Sequence, residues 1–311
     1  MAGQLFLPKR DTNDAAERRK GIEMKIALCN GGLGNQTFQY IFSRFVELEG
    51  GEPCYLNNAA FCHNNVAHNG FEITKVFPNA RPRLLSQCFT EDVWQYMVDK
   101  GSIAQQLRDA GEDFSMIAET EDFTFDGNVI PTPTNQFAPW IAHAKGNIYY
   151  HGYWIHRDWL KSQHWETIRN ELQFAPLADD RNRYYEKMIE QTNSIALHIR
   201  RGDFVSIGWA ASAENYRMAV EALRDKIEDA HFFIFSDDLV WCRENLEALG
   251  LRSGEVTFVE GNTGISNYLD MQLMSYCKNM ALVSASSFSY LAALLNRNES
   301  MLVYSTTGRK V

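Results

Sequence analysis

The sequence predicts an α/β protein with parallel strands, and three observations carry that reading. From about Ser194 onward, short apolar runs alternate regularly with stretches of helical periodicity. That is the pattern of parallel strands joined by right-handed helical crossovers. The chain also opens with a strand, a glycine-rich turn, a helix and a second strand, a β-α-β beginning. Its 311 residues suffice for about two domains of ~150 residues each, and the boundary is expected at 150/151.

Taken in order, residues 24–29 read as the first strand and run into Asn30-Gly31-Gly32-Leu33-Gly34-Asn35-Gln36. A helix follows, with Phe38, Ile41, Phe42, Phe45 and Leu48 on one face. The turn lacks the lysine of a P-loop and the third glycine of a dinucleotide fingerprint. Its glycines either satisfy a turn that needs positive φ or let backbone N–H groups approach a ligand. Asn35 and Gln36 are its side chains able to reach into a cleft. Residues 52–58 form the second strand. Cys62, His63 and His68 lack tight metal-ligand spacing, whereas His68-Asn69-Gly70-Phe71-Glu72 is a compact polar and aromatic turn able to line a sugar site.

Residues 80–145 carry little periodicity, and Pro131, Pro133 and Pro139 mark an irregular segment. Tyr149-Tyr150-His151-Gly152-Tyr153-Trp154 reads as an aromatic strand near an interdomain edge, its rings either facing sugar C–H surfaces or filling core. Helices are expected at 159–174 and 179–191, then a central strand at Ser194-Ile195-Ala196-Leu197. A helix over 213–229 buries Tyr216, Val220, Leu223 and Ile227. The continuous apolar run Phe232-Phe233-Ile234-Phe235 fits a strand covered on both faces. Helices at 240–249, 268–278 and 288–295 alternate with strands at 256–259 and 281–283.

Composition excludes several classes. A net charge of −9 is wrong for a general nucleic-acid binder, which presents a basic field. Six cysteines (Cys29, Cys54, Cys62, Cys88, Cys242, Cys277) show no paired zinc spacing and fit reduced thiols in a reducing compartment. No apolar run approaches the ~18 residues of a membrane span; residues 280–295 come nearest and are broken by Ser284, Ser286, Ser287 and Ser289. Residues 1–23 are polar and charged without an apolar signal core, so they read as a flexible N-terminal extension, with Met24 as an alternative start.

Chemistry concentrates at three strand ends of the second half. His198-Ile199-Arg200-Arg201-Gly202-Asp203 ends the central strand, Ser236-Asp237-Asp238 the next, and Ser284-Ala285-Ser286-Ser287 the last before a helix. Ligands of open α/β sheets bind beyond the carboxyl ends of the strands. Arginine is permanently charged and its planar fork matches phosphate oxygens. A helix N-terminus favours the same anion, and a carboxylate can accept from a guanine N–H or a ribose hydroxyl. Each element alone also reads as a solvated turn or an N-cap. Together they suit a nucleoside diphosphate. No Asp-any-Asp tripeptide occurs, so a carboxylate-held Mg²⁺ is not indicated, and the arginines are expected to neutralise the leaving group.

Gly31-Gly32-Leu33-Gly34-Asn35-Gln36-Thr37-Phe38-Gln39-Tyr40, His198-Ile199-Arg200-Arg201-Gly202-Asp203, Phe235-Ser236-Asp237-Asp238 and Ser286-Ser287-Phe288-Ser289 together resemble the bacterial α-1,2-fucosyltransferases, glycosyltransferase family 11. His68-Asn69-Gly70-Phe71-Glu72 and Gly152-Tyr153-Trp154 look like the same family, and the likeness runs from about Met24 to Asn296. The resemblance implies an α/β fold of GT-B type, two Rossmann-like domains with parallel sheets facing across a cleft. Residues 24–150 would form the acceptor-side domain and 151–311 the GDP-fucose-binding domain. It implies transfer of L-fucose from GDP-β-L-fucose to the 2-hydroxyl of a galactoside, with inversion, without metal and without a cofactor beyond the donor. The implied partners are GDP-fucose and a galactose-containing acceptor glycan, with no nucleic acid. The implied location is the cytoplasm, with peripheral association at the inner membrane if the acceptor is lipid-linked. The sequence departs from the family pattern at Asn279, Ala285, Tyr290 and Leu291.

On this reading Arg200 and Arg201 hold the diphosphate, and Ser286, Ser287 and the Phe288 N–H cradle it. His198 and Asp237 or Asp238 are candidates for base or ribose contacts, and Ser236 is a further donor-binding candidate. Asp203 is the candidate general base, its alternative role being to bond the N–H groups of its own turn. Gly34, Asn35, Gln36, His68 and Tyr153 are the candidate acceptor-side residues. Two alternatives stay open, a fucosyl transfer of another linkage (α-1,6 or protein O-linked) and a non-catalytic nucleotide-sugar-binding protein.

Overall fold

The computed structural model describes residues 23–62, 68–119, 125–133 and 138–306. The extension expected at 1–23 falls almost wholly outside them, as does His63. The chain divides into two compact units, Met1–Gln173 and Phe174–Val311. The division therefore comes after residue 173 instead of 150. Its cause is aromatic packing: Trp154 stacks on Phe42 at 3.9 Å between centroids, and Trp159 meets Phe45 at 5.4 Å. Farther along, the Glu171 carboxylate accepts from Tyr40 Oη at 2.5 Å and pairs with Arg44 at 2.8 Å.

In the first unit, β1 (Lys25–Leu28), α1 (Leu33–Gly50) and β2 (Cys54–Asn57) follow the expected β-α-β order. Next come the single-turn α2 (Ile73–Val76), α3 (Glu91–Lys100), α4 (Ile103–Asp109), β3 (Phe114–Ala118) and β4 (Val129–Pro131). The unit closes with β5 (Asn147–His151) and α5 (Trp165–Glu171). Strand order is β2-β1-β5-β3-β4, every pair parallel. Among the described residues, the stretch at 80–145 thus holds two α-helices and two strands whose short, interrupted apolar patterns hid them. Met97, Val98, Ile103 and Leu107 of α3 and α4 bury against Phe114 and Met116 of β3. Tyr149, Tyr150 and Trp154 are buried too, so that aromatic cluster fills core, and only Tyr153 faces outward.

In the second unit, α6 (Asp180–Gln191) leads to β6 (Asn193–Ile199), α7 (Gly202–Ser206), α8 (Ala213–Arg224) and β7 (Ala230–Ser236). Then follow α9 (Leu239–Glu244), β8 (Val256–Phe258), α10 (Tyr268–Tyr276), β9 (Asn279–Leu282), α11 (Ser287–Leu295) and β10 (Val303–Ser305). All strands are parallel in the order β10-β9-β6-β7-β8. Ile195, Leu197, Phe232 and Ile234 bury on one face with Tyr216, Val220 and Leu223 of α8. Ala196, Phe233 and Phe235 are buried as well, which accounts for the unbroken apolar runs. The chain moves from β6 to β7 and β8 on one side, then returns to β9 and β10 on the other. The order therefore reverses between β6 and β9, the position where doubly wound sheets open a crevice.

The loop from β8 to α10 is held by buried amides. Asn182 and Asn262 bond to each other at 2.8 and 3.0 Å, Asp179 caps α6 through Asn182, and Asn262 Nδ2 donates to Asp270 Oδ1 at 2.8 Å. Burial pushes the Asp270 carboxyl up to about 7, against the pull of Asn262 and the Arg181 charge. An unfolded carboxyl titrates near 3.8, so between those values the folded chain keeps a proton that the unfolded chain has released. Stability then falls as pH rises through that window and levels off above it. Asp270→Asn, isosteric and uncharged, is expected to flatten this part of the curve, read from urea midpoints near pH 5 and pH 8. Midpoints that fall between the two pH values as steeply as in the unsubstituted chain contradict it.

Candidate active site

Parallel registry places the three expected strand ends side by side. His198 pairs with Phe235 across β6–β7, and Leu197 with Ala281 across β6–β9. The segments after Ile199, Ser236 and Leu282 consequently emerge together at the carboxyl edge of the second unit's sheet.

The two arginines are presented differently. Arg200 lies between two carboxylates, Nη2 2.7 Å from Asp203 Oδ1 and Nη1 2.9 Å from Asp237 Oδ2. Arg201 is held at its base: Nε sits 3.3 Å from Asp238 Oδ2, and the guanidinium lies over the Trp241 ring at 3.8 Å. Its two terminal amino groups make no hydrogen bond among the described residues. A guanidinium fixed at Nε and one face, with both outer N–H edges open, is a preorganised fork for an oxyanion.

The carboxylates expected to touch a ligand instead brace these arginines. Asp237 Oδ1 accepts from the Arg201 N–H at 2.8 Å while its other oxygen pairs with Arg200. Gly202 permits this approach, since a Cβ there would lie 2.7 Å from Asp237 Oδ2. Asp238 caps α9 by accepting from the Trp241 N–H at 3.0 Å, so one carboxylate sets both members of the Arg201–Trp241 stack. Ser236 is likewise occupied, donating to the Ile199 carbonyl at 2.7 Å and accepting from the Asp238 N–H at 3.0 Å. Asp203 spends its carboxylate on Arg200 and not on the N–H groups of its own turn. Ser236, Asp237 and Asp238, expected as donor contacts, and Asp203, expected as the base, are thus each engaged by the protein's own groups. A short polar side chain at a strand end beside an arginine finds that partner first.

At β9 the picture is mixed. Ser286 caps α11, its Oγ accepting from the Phe288 N–H at 3.3 Å, so those two groups satisfy each other. Ser287, half-exposed in the first turn of α11, has a hydroxyl without a partner among the described residues. His198 is buried at the floor, 5.8 Å from the Phe288 ring between centroids. Its Nδ1 has no hydrogen-bond partner among the described residues. Burial, reinforced by the Arg200 charge and opposed by Asp237, lowers the His198 pKa to about 4, so the ring is neutral near pH 7. Unpaired polar atoms buried at one edge of a sheet are costly, and a ligand offering hydrogen bonds relieves that cost. Of the family departures, Asn279 joins β9 to β10 by accepting from the Leu302 N–H at 3.0 Å, and Tyr290 and Leu291 are buried in α11. Only Ala285 is exposed at this edge.

In the first unit Gln36 points inward. It is fully buried, with Nε2 donating to the carbonyls of Gly31 and Gly70 and Oε1 accepting from the Glu72 N–H, all at 2.9 Å. Gln39, which sequence reasoning did not single out, bonds Asn30 at 2.9 and 3.1 Å and the Gly152 carbonyl at 3.1 Å. Gly34 is buried in α1. The Gln36 amide thus braces the loops, because an amide one turn inside a buried helix reaches only neighbouring backbone. Asn35, His68 and Tyr153 are at least partly exposed, and the His68 ring lies over Gly32.

A second missed residue is Glu119, just past β3. One of its oxygens accepts from the N–H groups of Tyr153 at 2.8 Å and Trp154 at 2.6 Å. It thereby holds Trp154 at a φ of 57°, a conformation a bulky residue adopts only when its surroundings impose it. Gly152 makes room, because a Cβ there would lie 2.7 Å from the same carboxylate. The signal was a carboxylate ending a buried strand, within the least legible stretch of the chain. Among the described residues no group of three or more His, Cys, Asp or Glu is placed to hold a metal ion, and no helix is long and apolar enough to cross a membrane.

The family model for Glycosyl transferase family 11 matches residues 131–309. An α-1,2-colitosyltransferase of Escherichia coli is 27% identical over 281 residues, covering 88% of this chain and 88% of that protein. Galactoside alpha-(1,2)-fucosyltransferase 1 of Saimiri boliviensis boliviensis is 29% identical over 107 residues, which is 32% of this chain and 28% of that one. Among solved structures, the fucosyltransferase NodZ from Bradyrhizobium aligns with 88% of this chain and 92% of its own at a TM-score of 0.48 and 15% identity.

Proposed function

Since the chain belongs to glycosyl transferase family 11, we propose that it moves L-fucose from GDP-β-L-fucose to the 2-hydroxyl of a galactoside, with inversion and without a metal ion. The observation that carries this reading is the Arg201 fork, fixed by Asp238 and Trp241 with both outer edges open at the carboxyl edge of the sheet. Arg201, Arg200 and the Ser287 hydroxyl would hold the donor diphosphate. His198, neutral and with Nδ1 unpaired, would meet the nucleoside. The acceptor oxygen attacks the anomeric carbon from the face opposite the diphosphate, and that bond forms as the carbon–oxygen bond to GDP breaks. GDP leaves with the electron pair, and the hydroxyl proton passes to a base.

Asp203 remains the candidate for that base by a specific route. A diphosphate drawn to Arg200 competes with the Asp203 carboxylate for the same guanidinium, and a displaced Asp203 is freed at the site. Charge-assisted hydrogen bonds from arginine are worth about 1.5–3 kcal/mol each, more where they strengthen as charge builds on the leaving group. The two Rossmann-like units are of the kind that GT-B enzymes pair, one for each substrate.

A second donor has its own support: the relative that matches 88% of both chains is named for colitose. GDP-fucose and GDP-colitose are therefore offered in parallel with galactose-ended acceptors, and the product linkage is read by NMR. An α-1,2 linkage is the expected result; an α-1,6 product or no product with either donor refutes it. Chelation gives a further check, since excess EDTA is expected to leave the rate unchanged. A rate abolished by EDTA and restored by a divalent ion places the charge compensation on a metal instead of the arginines.

A further inference from the structure

The segment running from the arginines to α8 carries a second feature. Residues 201–210 fold back on themselves: the Val205 N–H donates to the Arg201 carbonyl at 2.7 Å, and the N–H groups of Trp209 and Ala210 both donate to the Phe204 carbonyl, at 2.8 and 3.1 Å. This compact turn leaves Trp209 65% exposed, with Val205 and Ile207 also outward. The indole meets Phe204 edge-to-face at 5.8 Å and 84°, and Phe204 in turn lies 5.7 Å from the Arg200 guanidinium. An exposed tryptophan, backed by a second ring and pinned by its own backbone, is a rigid platform set one ring away from the phosphate-holding charge.

We infer that Trp209 is a specificity-determining residue, stacking on the apolar C–H face of the acceptor's terminal sugar; this rests on the reading of the site as a glycosyl transferase. Three considerations select a sugar as occupant. Aromatic faces suit the partly apolar, partly hydroxylated surface of a pyranose. A diphosphate on Arg200 and Arg201 places the reacting carbon near this turn, and the other reactant must lie beside it. The platform is also preorganised, so little ordering entropy opposes a small ligand.

The test compares Trp209→Ala, Trp209→Leu and Trp209→Phe with the unsubstituted chain, measuring KM for a galactose-ended acceptor and the Kd for GDP. The alanine and leucine variants are expected to raise the acceptor KM about tenfold or more, while phenylalanine restores most of it and the Kd for GDP stays constant in all three. An unchanged acceptor KM in Trp209→Ala overturns the inference. So does a leucine variant as good as phenylalanine, which makes the contact merely apolar, or a Kd for GDP that weakens in parallel, which moves the residue to the donor side. Because Trp209 is largely exposed, loss of the fold is not expected, and equal urea midpoints check it. If the unsubstituted chain binds GDP but transfers to no galactoside, the underlying reading fails and the platform with it. Transfer by the unsubstituted chain with no Trp209 effect defeats the platform alone.

Discussion

Arg201→Ala is expected to lower kcat by about 10³-fold or more while shifting the urea midpoint little. The structural cost is small because the side chain makes one partly exposed ion pair, to Asp238, and one stack on Trp241. Those contribute roughly 0–1 kcal/mol and about 0.5–2 kcal/mol. The catalytic cost is large because the open fork is what would meet the charge developing on the leaving diphosphate. Arg201→Lys keeps the charge but loses the planar, two-pronged geometry, so it is expected to recover only part of the rate. Near-normal turnover in Arg201→Ala would remove the arginine from the chemistry.

Gln36→Met is expected to lower stability by about 3 kcal/mol or more. Methionine matches the volume but withdraws the amide from two carbonyls and one N–H, those of Gly31, Gly70 and Glu72. Each buried polar group left unpaired costs about 1–3 kcal/mol, and Gln36 is fully buried, so water cannot replace the lost partners. Urea unfolding of the full chain, compared at equal slope, reads the change. A loss below about 1 kcal/mol means that the glycine-rich turn and the His68–Glu72 segment hold their shape without the amide. The burial of Glu72, which raises its carboxyl pKa, makes such relaxation costly.

Much of the second unit was legible because its central strands are buried on both faces and α8 carries an apolar stripe, so their period agrees with the structure, although the helix expected over 213–229 ends at Arg224. The helix expected at 240–249 stops at Glu244, and β10 was missed because three residues leave no periodic trace. In the first unit, residues 80–145 were opaque, since helices and strands this short repeat no pattern long enough to recognise. The placement of the three strand-end clusters was also legible, because parallel strands bring their carboxyl ends to one edge. Which atoms remain open there was not. Arg and Asp at adjacent strand ends bond one another, and that pairing depends on distances of a few ångströms between segments some 40 residues apart.

By itself, the order of apolar runs and polar strand ends determined that this chain folds as parallel α/β sheets with two arginines at a central edge. Hydrophobic periodicity is a local property, and the chain states it residue by residue. Only the tertiary structure decided that Asp237 and Asp238 brace those arginines, that Gln36 faces the interior, and that the first unit extends to Gln173. Each of those outcomes is a competition among polar or aromatic partners distant in the chain, and only folding brings the competitors within reach.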